Sequence, residues 1–524
     1  MTPRFLPVGP RTLLVELPDL DATLALFDAL VAEPLPEVLE VIPAARTLMV
    51  RSTPARPADG RLAAAIAARM PAAARRREAT AEVVELPVVY DGEDLAEVAA
   101  HLGLAVGEVL AAHAAATWQV AFCGFAPGFA YMTGDDPRFD LPRRASPRAR
   151  IPAGAVALAG RFCGVYPQSS PGGWQLIGTT SARMWDLSRD PPALLRPGMR
   201  VRFVERRGAV HAAAAPASPA ASPAEGLRVI ATVFPILVQD AGRPGQAAQG
   251  ISASGAMDLP SLRRANRRAG NPPDAPALEI TLGPVRLAVD APATLVLDGA
   301  ADRAEIEQSD ARVPVDPSRP FALDPGEVLA IPSPARGMRS YLARRGGFDV
   351  PRLLGSAATD TLAGIGPAPL GAGAAVGFAR QAASAVDPNP AEALRLPAPG
   401  ETVLLPVTLG PRTDWFEDEV VARFLGQVWE VTPQSSRVGL RLSGEPLQRA
   451  DARELPSEGT ERGAVQVPHS GQPVLFLADH PLTGGYPVIA TLLPEALPLA
   501  AQLPPGARIR FTAAYPFSPV EPAP

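Results

Sequence analysis

The sequence predicts a mainly β protein, with a small α+β subdomain at the N-terminus and tandem β-barrels after it. Three observations carry this. The 524 residues include 62 prolines and 45 glycines, which cut the apolar sequence into short runs suited to strands and turns rather than long helices. One stretch, residues 209–226, consists almost entirely of alanine, proline and serine and cannot bury a core, so it reads as a semi-extended linker. The chain also repeats itself across that linker. Gly172-Gly173-Trp174-Gln175-Leu176-Ile177-Gly178-Thr179 aligns with Gly484-Gly485-Tyr486-Pro487-Val488-Ile489-Ala490-Thr491, and Gly154 to Leu158 aligns with Gly463 to Val467 at nearly the same offset. A Gly-Gly turn alone is a common signal, but two matched segments in order point to a duplicated barrel.

In chain order, residues 11–16 alternate as a strand does. Residues 20–31 have helical spacing, 47–51 form a second strand and 60–77 an arginine-rich helix. These make the α+β subdomain, residues 1–80. Residues 83–90 are strand-like, and 95–113 hold two short helices joined at Gly103. Short strands then continue through Glu205, giving a barrel over 81–208. Beyond the linker, a second weak boundary at 381–400, rich in alanine and proline, divides two further barrels, 227–390 and 391–518. Residues 259–269 read as a helix with Asp258 as its N-cap.

Composition excludes whole classes of chemistry. The chain contains no lysine, so all 49 basic residues are arginine. There is accordingly no Schiff-base lysine, no P-loop lysine and no biotinyl-lysine. A net charge of −5 gives no basic field for nucleic acid or acidic lipid. Two cysteines, Cys123 and Cys163, cannot form a disulfide framework. No signal-like N-terminus or uncharged apolar span appears, and the expected location is the cytoplasm. The five histidines, His101, His113, His211, His469 and His480, form no metal-ligand pair with a neighbouring histidine or cysteine, so no metal is expected. Cys163 has no histidine near it in sequence and reads as a core residue. His480, beside Asp479, reads as a structural hydrogen-bonding group.

Several dense motifs remain. Gly124-Phe125-Ala126-Pro127-Gly128-Phe129-Ala130-Tyr131 is a tight loop whose aromatics can wall a pocket. Arg143, Arg144 and Arg148 follow on a proline-stiffened segment, and arginine forks suit carboxylate or phosphate. Asp240 and Arg243 flank Gly242. Ser252 to Asp258 opens the second-half helix with hydroxyls and backbone N–H groups suited to an anion or carbonyl oxygen. Gln434 and Arg437 lie in the last block, ahead of Asp479-His480 and Gly484-Gly485-Tyr486.

Together these motifs resemble a known pair of families. The first 207 or so residues resemble the B component of bacterial ATP-dependent 5-oxoprolinase, a family that includes Kip-type kinase inhibitors, through Gly124–Tyr131, Pro142–Arg148, Ile151–Gly154 and Ser170–Trp174 with Ile177-Gly178. Residues from 227 onward resemble the C component of the same enzyme, through Asp240–Gly245, Ser254–Asp258, Ala265-Asn266, Ala277–Pro284, Gly346–Asp349, Pro433–Ser435 with Arg437 and Gly439, and Gly484–Pro487. Both are also labelled allophanate hydrolase subunits 1 and 2, and together they resemble the carboxyltransferase domain of urea carboxylase. The resemblance implies cyclophilin-like barrels, one in the first half and two in the second. It also implies hydrolysis of 5-oxo-L-proline to L-glutamate with the separate A component of 5-oxoprolinase, a LamB/YcsF-like protein, through which ATP is used. Two alternatives stay open: carboxyl transfer to urea or a similar small amide, with biotin on another chain, and inhibition of a histidine kinase. A homo-oligomer also stays open.

Candidate catalytic residues are Arg243, Asp258, Gln434 and Arg437. Candidate substrate- or anion-binding residues are Gly128, Arg143, Arg144, Arg148, Gly172, Gly173, Ser254, Gly484, Gly485 and Tyr486. The sequence departs from the family pattern at Ala126, Ala130, Ala241 and Val488, where a lysine is frequent at 488 and its loss is expected to remove a charge from a pocket rim.

The absence of lysine makes one prediction immediate: the purified chain carries no covalent biotin. An intact mass raised by one biotinyl group would contradict it.

Overall fold

The computed structural model describes residues 3–70, 83–144, 146, 148–208, 225–309, 311–392, 394–450 and 453–523. The chain is mostly β, with tandem barrels. Near the N-terminus, Arg4–Gly9, Thr12–Glu16, Thr47–Ser52 and Val38–Pro43 form a four-stranded antiparallel sheet in that order. The alternation sends Leu13 and Val15 toward the helices Leu20–Ala32 and Gly60–Ala67, where Leu26, Leu30, Leu62 and Ile66 close a core. Asp19 and Asp59 cap those helices, accepting from Ala22 N at 2.8 Å and Arg61 N at 3.0 Å. The second helix ends at Ala67 rather than running to 77, and residues 71–77 lie outside the described residues. The opposite face of the sheet, Leu6, Leu14, Ile42 and Met49, packs on Ala247 and Leu482 of the second half. The subdomain is therefore buried on both faces.

Residues 83–205 form a seven-stranded sheet in the order Gln175–Thr179, Ala155–Ala159, Phe162–Val165, Ala130–Gly134, Trp118–Cys123, Arg200–Glu205 and Val83–Val88. A bridge between Val89 and Thr179 joins its two outer strands and closes it. The helices Leu95–Leu102 and Val106–Ala115 are separated at Gly103, which takes the left-handed conformation. In the second half, a seven-stranded and a five-stranded sheet sandwich a shared apolar core between Gly226 and Phe378. The helix Leu259–Arg268 packs Leu262 and Ala265 on Val296 and Tyr341. Residues 402–515 form a closed seven-stranded barrel. Residues 209–224 of the expected linker lie outside the described residues, and Gly226 already pairs with Gly377 in a strand.

The repeat seen in sequence is a repeat in register. Ala155 and Val156 pair with Thr179 and Gly178, and Ile177 then bulges out before Leu176 meets Ala157. Ala464 and Val465 pair with Thr491 and Ala490, and Ile489 bulges at the same step. Both bulge residues are fully buried. The first and last strands of each barrel in chain order also pair in parallel, Val83–Val88 with Arg200–Glu205 and Thr402–Leu409 with Arg508–Tyr515. In each, a buried tryptophan after a helix donates its indole N–H to a carbonyl five residues back: Trp118 to His113 at 3.3 Å and Trp429 to Phe424 at 3.1 Å. The residues providing those carbonyls, His113 and Phe424, each set a ring 4.7 Å from a phenylalanine of the last barrel strand, Phe203 or Phe511. This detail extends well beyond a shared turn.

Trp429→Ala is expected to destabilise the last barrel by about 3–5 kcal/mol, because the cavity it leaves is enclosed by rigid strands. A thermal or urea midpoint unchanged from the parent would contradict that.

Candidate functional site

The loops that carry the sequence motifs meet where the first barrel touches the second half. Phe125 N donates to Thr483 Oγ1 at 3.2 Å, and a Cβ on Gly124 would sit 2.4 Å from the same oxygen. Glycine is thus required for this approach. On its other side the loop meets Gln249, whose carbonyl accepts from Gly128 N at 3.0 Å. Beside this clasp lies a cavity of about 140 Å³ shared by both Gly-Gly loops, Gly172-Gly173 from one barrel and Gly484-Gly485 from the other. Its walls are Phe125, Phe129, Tyr131, Tyr166 and Trp174, with Phe129 edge-on to Tyr131, Tyr166 and Trp174 at 5.0–5.3 Å. Ser457, Thr483 and Arg143 complete it. Burial raises the Tyr131 phenol against the pull of Arg143 and of its hydrogen bonds to Ser457 and Thr483, so it stays a neutral hydroxyl.

The three motif arginines do different things. Asp94, buried below the loop, accepts from Arg144 Nη1 at 2.6 Å, from Arg148 Nη2 at 2.7 Å and from Leu176 N at 2.7 Å. These bonds outweigh its burial and hold the carboxyl below its ordinary range. Arg144 and Arg148 therefore pin the segment in place. Arg143, just ahead of these anchors, forms no ion pair among the described residues and lines the cavity.

Behind the cavity, the loop that bears Thr483 and Gly484 is tied down by a buried ionic network. Asp479 accepts from Arg437 Nε and Nη2, both at 2.9 Å, from Ser254 Oγ at 2.6 Å and from Thr361 Oγ1 at 2.7 Å. Arg437 also donates to Glu279 and, at 2.7 Å, to Gly255 O. Asp360 lies close by. Its carboxyl is pushed up to about 6 by burial and by the Asp479 charge, and its Oδ2 has no partner among the described residues.

Matches to known proteins divide the chain at the linker. Residues 3–195 match the carboxyltransferase domain, subdomain C and D, and residues 249–513 match subdomain A and B. The chain is 37% identical over 289 residues to the C component of 5-oxoprolinase from Escherichia coli K12, covering 54% of this chain and 90% of that protein. This chain belongs to the carboxyltransferase-domain family. It is also 48% identical over 136 residues to the B component of 5-oxoprolinase from Escherichia coli O157:H7, covering 25% of this chain and 62% of that protein. The crystal structure of TTHA0988 superposes with a TM-score of 0.82 at 35% identity, covering 96% of this chain and all of that one. No single helix among the described residues is long and apolar enough to cross a membrane.

In this carboxyltransferase-domain chain, five of the residues singled out from sequence line the cavity: Arg143, Gly172, Gly173, Gly484 and Gly485. The others lie elsewhere. Arg243 is buried and donates to Ala358 O. Asp258 caps its helix, accepting from Ser261 N at 3.1 Å and from Gln502 Nε2 at 2.8 Å. Arg437 and Ser254 belong to the network behind, and Gln434 is exposed on a separate turn. Gly128 packs against Met184, and Tyr486 turns outward onto His469. Val488 is buried in an apolar cluster with Ala464 and Phe476, so no rim charge is lost there.

Tyr166 and Ser457 enter the cavity from segments with no distinctive pattern. Cys163 does have a histidine beside it, His113 Nε2 at 3.5 Å, brought there by folding. Burial raises that thiol and holds the imidazole down at about 3, so neither group ionises and the pair is core packing. His480 is likewise buried and held down at about 4, with Nδ1 on Leu477 O.

Asp360 gives a pH prediction. Its folded-state value lies above the unfolded one, so its ionisation lowers stability as pH rises toward and past about 6. Asp360→Asn keeps an oxygen for Leu362 N and Ala363 N and is expected to raise the melting temperature at pH 8. That gain should vanish near pH 4. A gain independent of pH would contradict the assignment.

Proposed function

We propose that the chain is the substrate-binding component of an ATP-dependent 5-oxoprolinase, converting 5-oxo-L-proline to L-glutamate with a separate LamB/YcsF-like A component. The observation that carries this reading is the cavity at the barrel junction, which is small, aromatic-walled and fitted with a cation, Arg143, that has no ion pair among the described residues. A five-membered lactam bearing a carboxylate suits it. Arg143 makes a charge-assisted bond with the carboxylate, and the rings of Phe129 and Trp174 face the lactam. Neither Gly173 N nor Gly485 N is committed to a protein acceptor among the described residues, so both are available to the amide oxygen, where charge accumulates during ring opening. The neutral Tyr131 hydroxyl is a third donor. The similarity to the B and C components of 5-oxoprolinase supports the same reading.

ATP does not fit this cavity. At about 140 Å³ it falls below the roughly 300–1,000 Å³ of pockets for larger ligands. The larger cavity nearby sets four carboxylates, Glu16, Asp414, Glu454 and Glu458, against four arginines, Arg4, Arg46, Arg412 and Arg453, and so offers no net positive charge for a polyphosphate. The nucleotide is therefore assigned to the partner. The second reading, carboxyl transfer to a small amide, is favoured by the family description itself. With no lysine, its biotin would arrive on another polypeptide.

Reconstitution with the LamB/YcsF-like partner and ATP is expected to yield glutamate. Arg143→Gln should cut kcat/KM by at least about tenfold, as for a lost charge-assisted bond of ~1.5–3 kcal/mol, without moving the melting temperature. Arg437→Ala should instead lower melting and activity together, since it strands Asp479 and Glu279. Full activity in Arg143→Gln, or biotin-dependent urea carboxylation in place of glutamate release, would overturn the proposal.

A further inference from the structure

A second and larger cavity, of about 490 Å³, lies between the N-terminal subdomain and the last barrel. Its wall toward the barrel junction is the segment 455–458. Ser457 of that segment lines the smaller cavity, while Leu455, Pro456 and Glu458 line the larger one. The backbone fixes this partition, because Ser457 O accepts from Ala45 N at 3.0 Å. The two chambers are thus back to back across one strand of chain.

Most charges in the larger cavity are used up by one another. Arg4 pairs with Glu16 at 2.9 Å and Asp414 at 2.7 Å, and Arg412 pairs with Glu16 at 2.9 Å and with Glu458. Arg453, also in the lining, is engaged as well, which leaves two charges of opposite sign. Arg46 and Glu454 are exposed in the cavity and neither has an ion-pair or side-chain hydrogen-bond partner among the described residues. Arg46 follows Ala45, which is bonded to the dividing segment, and Glu454 precedes that segment.

We infer that this cavity binds a zwitterionic α-amino acid, with its carboxylate on Arg46 and its ammonium on Glu454. A simple anion would satisfy only one of the two leftover charges and would meet the carboxylates of the lining. An ammonium-bearing carboxylate satisfies both, and the volume leaves room for a side chain and solvent. The inference rests on the proposed lactam-opening reading for its choice of ligand. Opening the lactam creates an ammonium group that the substrate lacks, so the product, and not the substrate, matches the larger chamber. The chamber then serves as a product site adjoining the substrate site.

The experiment is calorimetric titration of the full chain, without nucleotide, using L-glutamate, glutarate and 5-oxo-L-proline. L-Glutamate is expected to bind saturably, while glutarate, which lacks the ammonium, should bind at least about tenfold more weakly, the loss of one charge-assisted contact. Arg46→Gln and Glu454→Gln should each weaken L-glutamate by a similar factor and leave 5-oxo-L-proline unaffected. Arg143→Gln should do the reverse. Equal affinity for glutarate and L-glutamate, no saturable L-glutamate binding, or L-glutamate binding insensitive to both substitutions would overturn the inference. Failure of 5-oxo-L-proline to bind, with L-glutamate binding intact, would instead count against the lactam reading alone.

Discussion

Asp479 brings a negative charge into a space from which solvent is excluded, and the junction of the molecule depends on how that charge is met. The bidentate fork of Arg437 neutralises it and reaches past it to Glu279. Ser254 and Thr361 fill its remaining acceptor positions. Each partner comes from a different segment: Glu279 from a strand of the middle unit, Ser254 from the loop ahead of a helix, Thr361 from a later loop, and Arg437 from the last barrel. Desolvating such groups costs several kcal/mol per ion unless every polar atom finds a partner. The arrangement therefore tolerates little displacement. It fixes the middle unit on the last barrel and, four residues further along, fixes Thr483 against the first barrel.

The cavity follows from this docking. Neither barrel forms it alone, because its floor and one Gly-Gly loop come from one copy of the repeat and its other Gly-Gly loop from the second. Duplication supplies two loops of the same shape, and the N-terminal subdomain and middle unit hold the copies face to face. The copies have diverged in what fills their cores. One sets His113 against Phe203 and the other Phe424 against Phe511 at the same separation. A buried neutral imidazole and a phenyl ring serve the same packing role there.

An arginine-only complement of cations shapes the rest. Guanidinium forks hold two or three acceptors at once. Arg412, Arg437 and the Arg144–Arg148 pair on Asp94 each use that geometry to cross-link separate segments. Beside forks committed in this way, Arg143 stands out as an arginine at a cavity with no ion pair among the described residues.

The sequence by itself determined the mainly β class, the duplication and several helix starts. Those are local matters: proline and glycine spacing, a Gly-Gly-aromatic pattern recurring at a fixed offset, helical spacing from residues 20 and 60, and Asp258 placed to cap a helix. It also marked the loops that meet at the junction, because glycine at 124, 172 and 484 is demanded by close approach and leaves a visible trace. Only the tertiary structure decided which charged residue faces the cavity. Arg143, Arg144 and Arg148 are alike in sequence, and what separates them is Asp94, about fifty residues away, which takes two and leaves one. Arg243 and Arg437 read as catalytic candidates in sequence, where nothing shows that folding buries them, and His113 reaches Cys163 across fifty residues of chain. A side chain's chemistry is written in its identity, but its protonation, partners and exposure depend on groups that only the folded chain brings within a few ångströms.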